Sequence, residues 1–147
     1  MVAVDTNVLI YAHRSDSPWH AAADAVITEL AEGAAAWAIP WPCLYEFYAV
    51  ATHPKIYQPP STPEQAVTQI GDWLESPTVV LLHEEEGFWE GLRSLLMDTA
   101  VQGGAVHDGR IAALCLRHGV KKLLSADRDF SRFPKLTTEN PLRRSKP

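Results

Sequence analysis

The sequence has 147 residues, a common size for one compact domain, and its 46% hydrophobic and 21% charged residues are typical of a globular protein rather than a disordered chain. The net charge of −5 is unevenly distributed, because residues 1–109 carry three basic and 15 acidic side chains whereas residues 110–147 carry ten basic and three acidic ones. The basic end is compatible with a polyanionic substrate or an acidic partner, and a solvated charged tail is the alternative.

The chain begins with two predicted strands separated by a helix. A short apolar run predicts a buried strand over residues 2–5. Ser17 and Pro18 are typical of a helix start, and the Ala-rich helix that follows is expected to end near Gly33. A second strand is predicted over residues 36–39.

Two further helices surround a proline-rich loop. Pro42 opens a helix that has to end before Pro54, because the residue ahead of a proline disfavours helical backbone. After the loop, Thr62 and Gln65 form a predicted capping box. The helix that this capping box starts is expected to reach about Glu75.

The remaining elements alternate between strand and helix. A β-branched run predicts a strand over residues 78–83, and helices are predicted over 85–100 and 106–118. Another strand is predicted over 120–125, followed by a short one near Leu136. Such alternation predicts an α/β sandwich with a mostly parallel central sheet. In sheets of this kind ligands bind at the carboxyl ends of the strands, near the point where the strand order reverses.

Membrane and disulfide-rich classes are disfavoured. The sequence contains no apolar run of the roughly 18 residues that a membrane span requires, and no basic segment precedes its apolar N-terminal stretch as in a secretory signal. Cys43 and Cys115 each lie in an apolar run, and two cysteines form neither a disulfide framework nor a zinc site. We therefore expect a cytoplasmic protein without a membrane partner.

We expect one domain over residues 1–147, with 135–147 as a basic C-terminal segment.

Two acidic residues in the first third of the chain are candidates for chemistry. Asp5 ends the first predicted strand, and capping of a following helix is its structural alternative. Glu46 lies in a helical segment that is apolar on nearly every side. Burial of an unpaired carboxylate costs several kcal/mol, so a buried Glu46 needs a cation or hydrogen-bond donors. A solvent-facing edge of the helix is the alternative.

Three more acidic residues occur in the last third. The spacing of Asp108 to Ile111 and Cys115 places it on the core-facing stripe of its helix, and an N-cap role is the alternative. Asp127 and Asp129 follow the predicted strand over 120–125, where a turn-forming role explains one of the two.

Together these carboxylates are predicted to lie at the ligand-binding edge of the sheet. Carboxylates that lie close together repel one another, and a hard divalent cation with oxygen ligands, Mg²⁺ or Mn²⁺, relieves that repulsion. A cation held by a few carboxylates retains water, which leaves room for phosphate oxygens and an attacking water molecule. The acids as a set therefore indicate phosphodiester hydrolysis.

Other chemistries lack their motifs in this sequence. It contains neither a glycine-rich phosphate loop nor the HExxH zinc pattern, and no nucleophile elbow holds a serine. A dehalogenase-type phosphatase needs a second aspartate two positions after the first, where this chain has Asn7. Trp41 and Tyr45, near Glu46, are candidates for stacking on a nucleobase, with core or interface packing as the alternative.

Four segments, in this order and at these intervals, resemble a PIN domain and more narrowly the VapC-type toxins of bacterial toxin–antitoxin pairs. They are VAVDTNVLIYA, the helix around Glu46, HDGRIAAL and LLSADRDFSRF, and the resemblance extends from Val2 to about Pro134. It implies a three-layer α/β/α sandwich that cuts RNA with Mg²⁺ or Mn²⁺ and leaves a 5′-phosphate and a 3′-hydroxyl.

The resemblance also implies roles for individual residues. Asp5, Glu46 and Asp108 match the three principal acids of the family, and Asp127 matches the fourth, with Asp129 as the fallback. Three polar residues are implied to support these acids: Thr6, Asn7 and Ser125, the last at a position where threonine is more usual. Three basic residues beside the acids are candidates for contacting RNA phosphates, with ordinary surface charge as the alternative: Arg110, Arg128 and Arg132.

The implied partners are RNA as the substrate, a small VapB-type antitoxin and a second copy of the chain in a homodimer. Two other functions stay open at this point. One is a metal-dependent DNA or flap-type nuclease of the wider PIN-like group, and the other is a binding module whose acids no longer catalyse.

Overall fold

The computed structural model describes residues 1–143, in which a five-stranded sheet is accompanied by six α-helices and one 3₁₀ helix. In chain order the elements are β1 (Val2–Val4), α1 (Thr6–His13), α2 (His20–Glu32), β2 (Trp37–Pro40), α3 (Trp41–Ala51), α4 (Pro63–Leu74), β3 (Val79–Leu82), α5 (Phe88–Thr99), α6 (Ala105–Arg117), β4 (Lys122–Leu124), a 3₁₀ helix (Arg128–Arg132) and β5 (Thr138–Glu139). The last four residues of the predicted basic C-terminal segment, 144–147, lie outside the described residues.

The sheet has the strand order β3-β2-β1-β4-β5, and all four pairings are parallel. Val2 of the central strand pairs with Trp37 on one side and Lys122 on the other. Hydrogen bonding to β4 continues one residue past the end of β1, since Asp5 N–H donates to the Leu124 carbonyl over 3.0 Å. The prediction of a mostly parallel sheet is confirmed, and the structure makes it fully parallel within the described residues.

The strand order reverses once, next to β1. The chain progresses from β1 to β2 to β3 in one direction and then crosses back to place β4 on the opposite side of β1. Because crossovers between parallel strands are right-handed, this reversal puts the helices before and after β3 on opposite faces of the sheet. The contacts agree: α1 packs on α2 and α3, α3 packs on α4, and α5 packs on α6. The result is the predicted three-layer α/β/α sandwich, with its crevice at the carboxyl ends of β1 and β4.

The core lies between the sheet and its two helix layers. Trp37 of β2 is fully buried, and its indole N–H donates to Ser76 Oγ over 3.1 Å. Phe47 of α3 is also fully buried and meets Trp73 of α4 edge to face, with ring centroids 4.8 Å apart. These aromatic contacts hold α3 and α4 on one face of the sheet and so determine the position of Glu46, which belongs to α3.

Most predicted elements exist, with shifted ends. Ser17 Oγ accepts a hydrogen bond from Trp19 N–H over 3.1 Å, so Ser17 belongs to a turn and α2 begins only at His20. Helix α5 begins three residues later than predicted because Gly87 has a left-handed backbone with φ of 87°. The predicted strand near Leu136 lies two residues further on, and Leu136 itself is buried.

Helix α1 and the 3₁₀ helix were not predicted as elements, and both adjoin the candidate acids.

Within the described residues, no helix combines the length and the apolarity that a bilayer crossing requires.

The predicted capping box at the start of α4 is present. Thr62 Oγ1 accepts from Gln65 N–H over 3.1 Å, and Gln65 Oε1 accepts from Thr62 N–H over 2.9 Å. We expect Thr62→Ala to lower the free energy of unfolding by about 1 kcal/mol, the usual value of an N-cap hydroxyl. Urea denaturation followed by circular dichroism measures the change.

The matched control is Thr68→Ala on the exposed face of the same helix, which removes a hydroxyl without removing a cap. We expect its free energy of unfolding to stay within about 0.5 kcal/mol of the unaltered protein. Equal losses in both variants would show that the cap does not stabilise α4.

Candidate active site

Asp5 lies at the carboxyl end of β1 and is only 4% exposed. It occupies the N-cap position of α1, yet its side chain makes no capping hydrogen bond. Its Oδ2 instead accepts from Ser125 Oγ over 2.7 Å and from Asn7 Nδ2 over 3.2 Å. Burial raises the pKa of Asp5 to about 6, against the lowering effect of the Ser125 hydrogen bond. Asp5 therefore stands at the start of a helix as the alternative required, but the alternative that its side chain caps this helix is wrong.

A polar network connects the ends of β1 and β4. Ser125 Oγ donates to Asp5 and accepts from Asn7 Nδ2 over 3.2 Å and from the Asp127 N–H over 3.0 Å. Asn7 Oδ1 accepts from the Ala126 N–H over 3.0 Å. The network holds the Asp5 carboxylate and the backbone of Asp127 in a fixed relation across the switch point of the sheet.

Three carboxylates form a compact group beside this network. One oxygen each of Asp108, Asp127 and Asp129 lie within 4.8 Å of one another, and we call these three residues the acid cluster. Asp108 stands in the first turn of α6, whereas the N-cap of that helix is Gly104, so the N-cap alternative for Asp108 is wrong. Burial raises the pKa of Asp108, and the negative charges of Asp127, Asp129 and Glu46 raise it further.

Asp127 combines a turn role with membership of the acid cluster. Its Oδ1 accepts from the Asp129 N–H over 2.8 Å and so caps the 3₁₀ helix that follows. Asp127 is half-buried and Asp129 is exposed. Asp127 thus has the turn-forming role that was the alternative for one of the two residues. Both carboxylates nevertheless belong to the acid cluster.

Glu46 is exposed, contrary to the expectation of a buried carboxylate. The buried residues of α3 occupy one face only, and Tyr45, Glu46 and Tyr48 lie on the opposite face. Thr6 was expected to support Asp5, but its hydroxyl donates to Glu46 Oε2 over 3.1 Å. Thr6 thereby orients Glu46 toward the N-terminal end of α1.

Glu46 and Asp108 line the same cavity, which has a volume of about 450 Å³. Of the predicted acids, Asp108 and Asp127 belong to the acid cluster together with the fallback Asp129, whereas Asp5 and Glu46 do not belong to it. A larger cavity of about 770 Å³ lies between the end of α1 and α4, and none of the predicted site residues line it.

Cys43 is a contact of Asp5 that the sequence pattern did not indicate. Its Sγ lies 3.5 Å from Asp5 Oδ1 and donates to it. Burial raises the pKa of Cys43 well above its usual value, so the thiol keeps the proton that it donates. The available signal was its position in the first turn of the helix that follows β2, at the same edge of the sheet as Asp5.

The three candidate arginines differ in their surroundings. Arg110 Nε donates to Glu84, so the charge of Arg110 already has a partner. Arg128 and Arg132 belong to the 3₁₀ helix and are exposed. The positive charge of Arg132 opposes the rise in the pKa of Asp108, which places it within electrostatic reach of the acid cluster.

The acid cluster fits a hard divalent cation by the chemistry of its donors. Carboxylate oxygens are the ligands that Mg²⁺ and Mn²⁺ prefer. One oxygen of each of the three carboxylates lies within 4.8 Å of the others, so the group is compact enough to share one cation. Binding of a cation would also offset the mutual repulsion that raises the pKa of Asp108.

Removal of the Ser125 hydroxyl tests whether the network supports cation binding. We expect Ser125→Ala to weaken Mn²⁺ binding by about 10- to 100-fold, because groups that orient metal-binding carboxylates have effects of that size. The physical reason is that Asp5 and the Asp127 backbone lose their shared partner. Isothermal titration with Mn²⁺ measures the affinity.

The control is Ser131→Ala, which removes an exposed hydroxyl from the nearby 3₁₀ helix. Its Mn²⁺ affinity should match that of the unaltered protein. If Ser125→Ala also leaves the affinity unchanged, the network does not support the cation site.

Comparisons with known proteins extend over nearly the whole chain. A sequence profile of the PIN domain matches residues 2–136. A VapC ribonuclease of Mycobacterium bovis is 33% identical over 142 residues, which is 97% of this chain and 96% of that protein.

Two solved structures share the fold. One chain of the VapBC2 complex of Rickettsia felis, bound to a DNA fragment from its promoter, superposes with a TM-score of 0.65 at 19% identity, and the match covers 95% of this chain and 98% of that one. The sarcin-ricin loop cleaving toxin VapC20 of Mycobacterium tuberculosis superposes with a TM-score of 0.66 at 17% identity, covering 89% of this chain and 93% of that one. At these identities the two superpositions show a common fold.

Proposed function

The chain belongs to the PIN domain family, and we propose that it is a divalent-metal-dependent endoribonuclease that acts as the toxin of a toxin–antitoxin pair. The observation that carries the proposal is the acid cluster at the carboxyl edge of a parallel sheet, beside its switch point. The proposal has further support from the 33% identity to a VapC ribonuclease over nearly the whole length of both chains.

The acidic residues of the proposed site have different roles. Asp108, Asp127 and Asp129 would hold Mg²⁺ or Mn²⁺, and Asp5 and Glu46 would complete the negatively charged surface around it. A divalent cation at such a site lowers the pKa of a bound water and polarises the scissile phosphate. Ser125 and Asn7 keep the Asp5 carboxylate fixed, and Thr6 does the same for Glu46.

The substrate in this proposal is RNA. The exposed Arg128 and Arg132 adjoin the acid cluster and supply positive charge for the phosphates that flank the cut. Arg110 contributes less, since Glu84 already neutralises it. Hydrolysis is expected to leave the 5′-phosphate and 3′-hydroxyl ends that the family resemblance implies.

The partners in this proposal are a VapB-type antitoxin and a second copy of the chain. The antitoxin would cover the crevice that contains the acids and so block cleavage. The solved complex of Rickettsia felis with promoter DNA supports this assignment by its shared fold. We place the protein in the cytoplasm, where its RNA substrate and the antitoxin are synthesised.

Mapping of new RNA ends tests the proposed function. The protein is induced briefly in a bacterial host, and RNA 5′-phosphate ends are sequenced and compared with those from an uninduced culture. Purified protein is then incubated with the same RNA in Mn²⁺ and in excess EDTA. We expect discrete ends that appear on induction, recur with purified protein in Mn²⁺ and vanish in EDTA.

Two results would contradict the proposal. Purified, folded protein that binds no Mn²⁺ and cuts no RNA would identify the chain as a binding module. Ends that appear equally in Mn²⁺ and EDTA would exclude metal-dependent hydrolysis.

A further inference from the structure

Helix α3 presents a large aromatic side chain to solvent directly beside Glu46. Tyr45 is 62% exposed, which leaves most of its ring available for contact. Trp41, one helical turn earlier, is stacked against it with ring centroids 5.8 Å apart and planes inclined by 24°. Because residues four apart on a helix are neighbours, Trp41 supports one side of the Tyr45 ring and restricts its orientation.

Tyr45 borders the candidate active site. Tyr45 lines the same cavity of about 450 Å³ as Glu46, Asp108 and Arg110. That volume lies within the range of about 300–1,000 Å³ typical of ligand sites. A supported aromatic ring and two acidic side chains therefore border one space.

An aromatic ring at this place suits a nucleobase. Proteins recognise single-stranded RNA by stacking unpaired bases on aromatic side chains, and every base offers a face for stacking. In the proposed function a cation at the acids would bind the scissile phosphate, and that phosphate is only one sugar away from the base of the same nucleotide. We propose that Tyr45, supported by Trp41, is the stacking platform for an unpaired nucleobase next to the scissile phosphate. This inference rests on the proposed function.

The competing use of this surface is contact with a protein, and a second tyrosine separates the two. Tyr48 is also on the exposed face of α3, at 36% exposure, but it does not line the cavity. A protein packed on α3 would contact both tyrosines. A nucleobase positioned by the acids would contact Tyr45 alone, so the position of Tyr45 in the cavity favours RNA.

Cleavage kinetics with a short oligoribonucleotide that spans a mapped cut site test the platform. Loss of one stacked base costs about 1–3 kcal/mol, which corresponds to about 5- to 150-fold in affinity. We expect Tyr45→Ala to raise KM by that factor and to change kcat less. Tyr45→Phe and Tyr45→Trp keep a ring for stacking and should stay close to the unaltered protein, as should the control Tyr48→Ala.

Thermal unfolding and sedimentation of each variant accompany the kinetics. An unchanged KM in Tyr45→Ala overturns the platform, and so does a raised KM that neither Phe nor Trp restores. If Tyr45→Ala changes the oligomeric state while KM is unchanged, the surface contacts protein instead. If the unaltered protein fails to cut RNA, the proposed function fails and the platform with it. RNA cleavage with no dependence on Tyr45 refutes the platform alone.

Discussion

Asp5→Asn is expected to lower the rate of RNA cleavage by more than about 100-fold while leaving the fold intact. Removal of groups that merely orient a metal ligand reduces metal affinity or activity by about 10- to 100-fold. Asp5→Asn also removes a negative charge from the site, so we expect a larger loss. Asp5 is buried beside the switch point, and its charge would be part of the field that holds a cation. The initial rate of oligoribonucleotide cleavage in Mn²⁺ measures the loss.

The hydrogen bonds of Asp5 explain why the variant should fold. Two donors, Ser125 Oγ and Asn7 Nδ2, converge on one carboxylate oxygen, and the other oxygen accepts the long contact from Cys43. An asparagine can present its carbonyl oxygen to the two donors and its amide to the sulfur. Thermal unfolding should therefore be close to that of the unaltered protein.

Asp24→Asn is the matched control, because it neutralises an exposed aspartate of α2 outside the acid cluster. Its cleavage rate should not change. Full activity in Asp5→Asn would refute a catalytic role for Asp5, and loss of activity together with loss of folding would assign it a structural one.

The sequence predicts the individual strands of the sheet but not the order in which they pair. Alternating apolar and helical segments identify β1 to β4, since each strand is a local pattern. The strand order depends on the pairing of Val2 with Lys122, which are far apart in sequence and share no local signal. The crevice between β1 and β4 follows from that pairing.

The exposure of Glu46 shows that an apolar segment of sequence does not by itself establish that every residue in it is buried. The segment around it is rich in apolar residues, yet its tyrosines at positions 45 and 48 are exposed with Glu46. A helix that packs with one face on the sheet leaves the other face free, whatever its composition. The exposed tyrosines are thus a product of packing that the sequence pattern did not reveal.

The supporting residues illustrate the same dependence on tertiary structure. Ser125 and Asn7 meet because β4 lies next to β1, and Cys43 reaches Asp5 because α3 begins at the same edge. The resemblance to a family indicated Ser125 and Asn7. It did not indicate Cys43 or the contact of Thr6 with Glu46.

The two aspartates after β4 are predicted to contribute unequally to metal binding. Asp127 is half-buried, and its carboxylate is oriented by the Asp129 N–H, whereas Asp129 is exposed. An oriented, partly desolvated carboxylate loses less freedom and interacts more strongly with a cation than a solvated one. We expect Asp127→Asn to weaken Mn²⁺ binding by about 10- to 100-fold and Asp129→Asn by less than about 10-fold, with a larger loss for Asp108→Asn.

Isothermal titration with Mn²⁺ and cleavage rates at saturating Mn²⁺ distinguish the three acids, with Asp24→Asn again as the control. Asp108 is central to this ranking because the charges of Asp127, Asp129 and Glu46 all act on its carboxyl group. A greater loss in Asp129→Asn than in Asp127→Asn would make the exposed residue the fourth acid and reduce Asp127 to the cap of the 3₁₀ helix. Equal, small losses in all three variants would mean that the cation is held elsewhere, which leaves Asp5 and Glu46 as the remaining acids at the crevice.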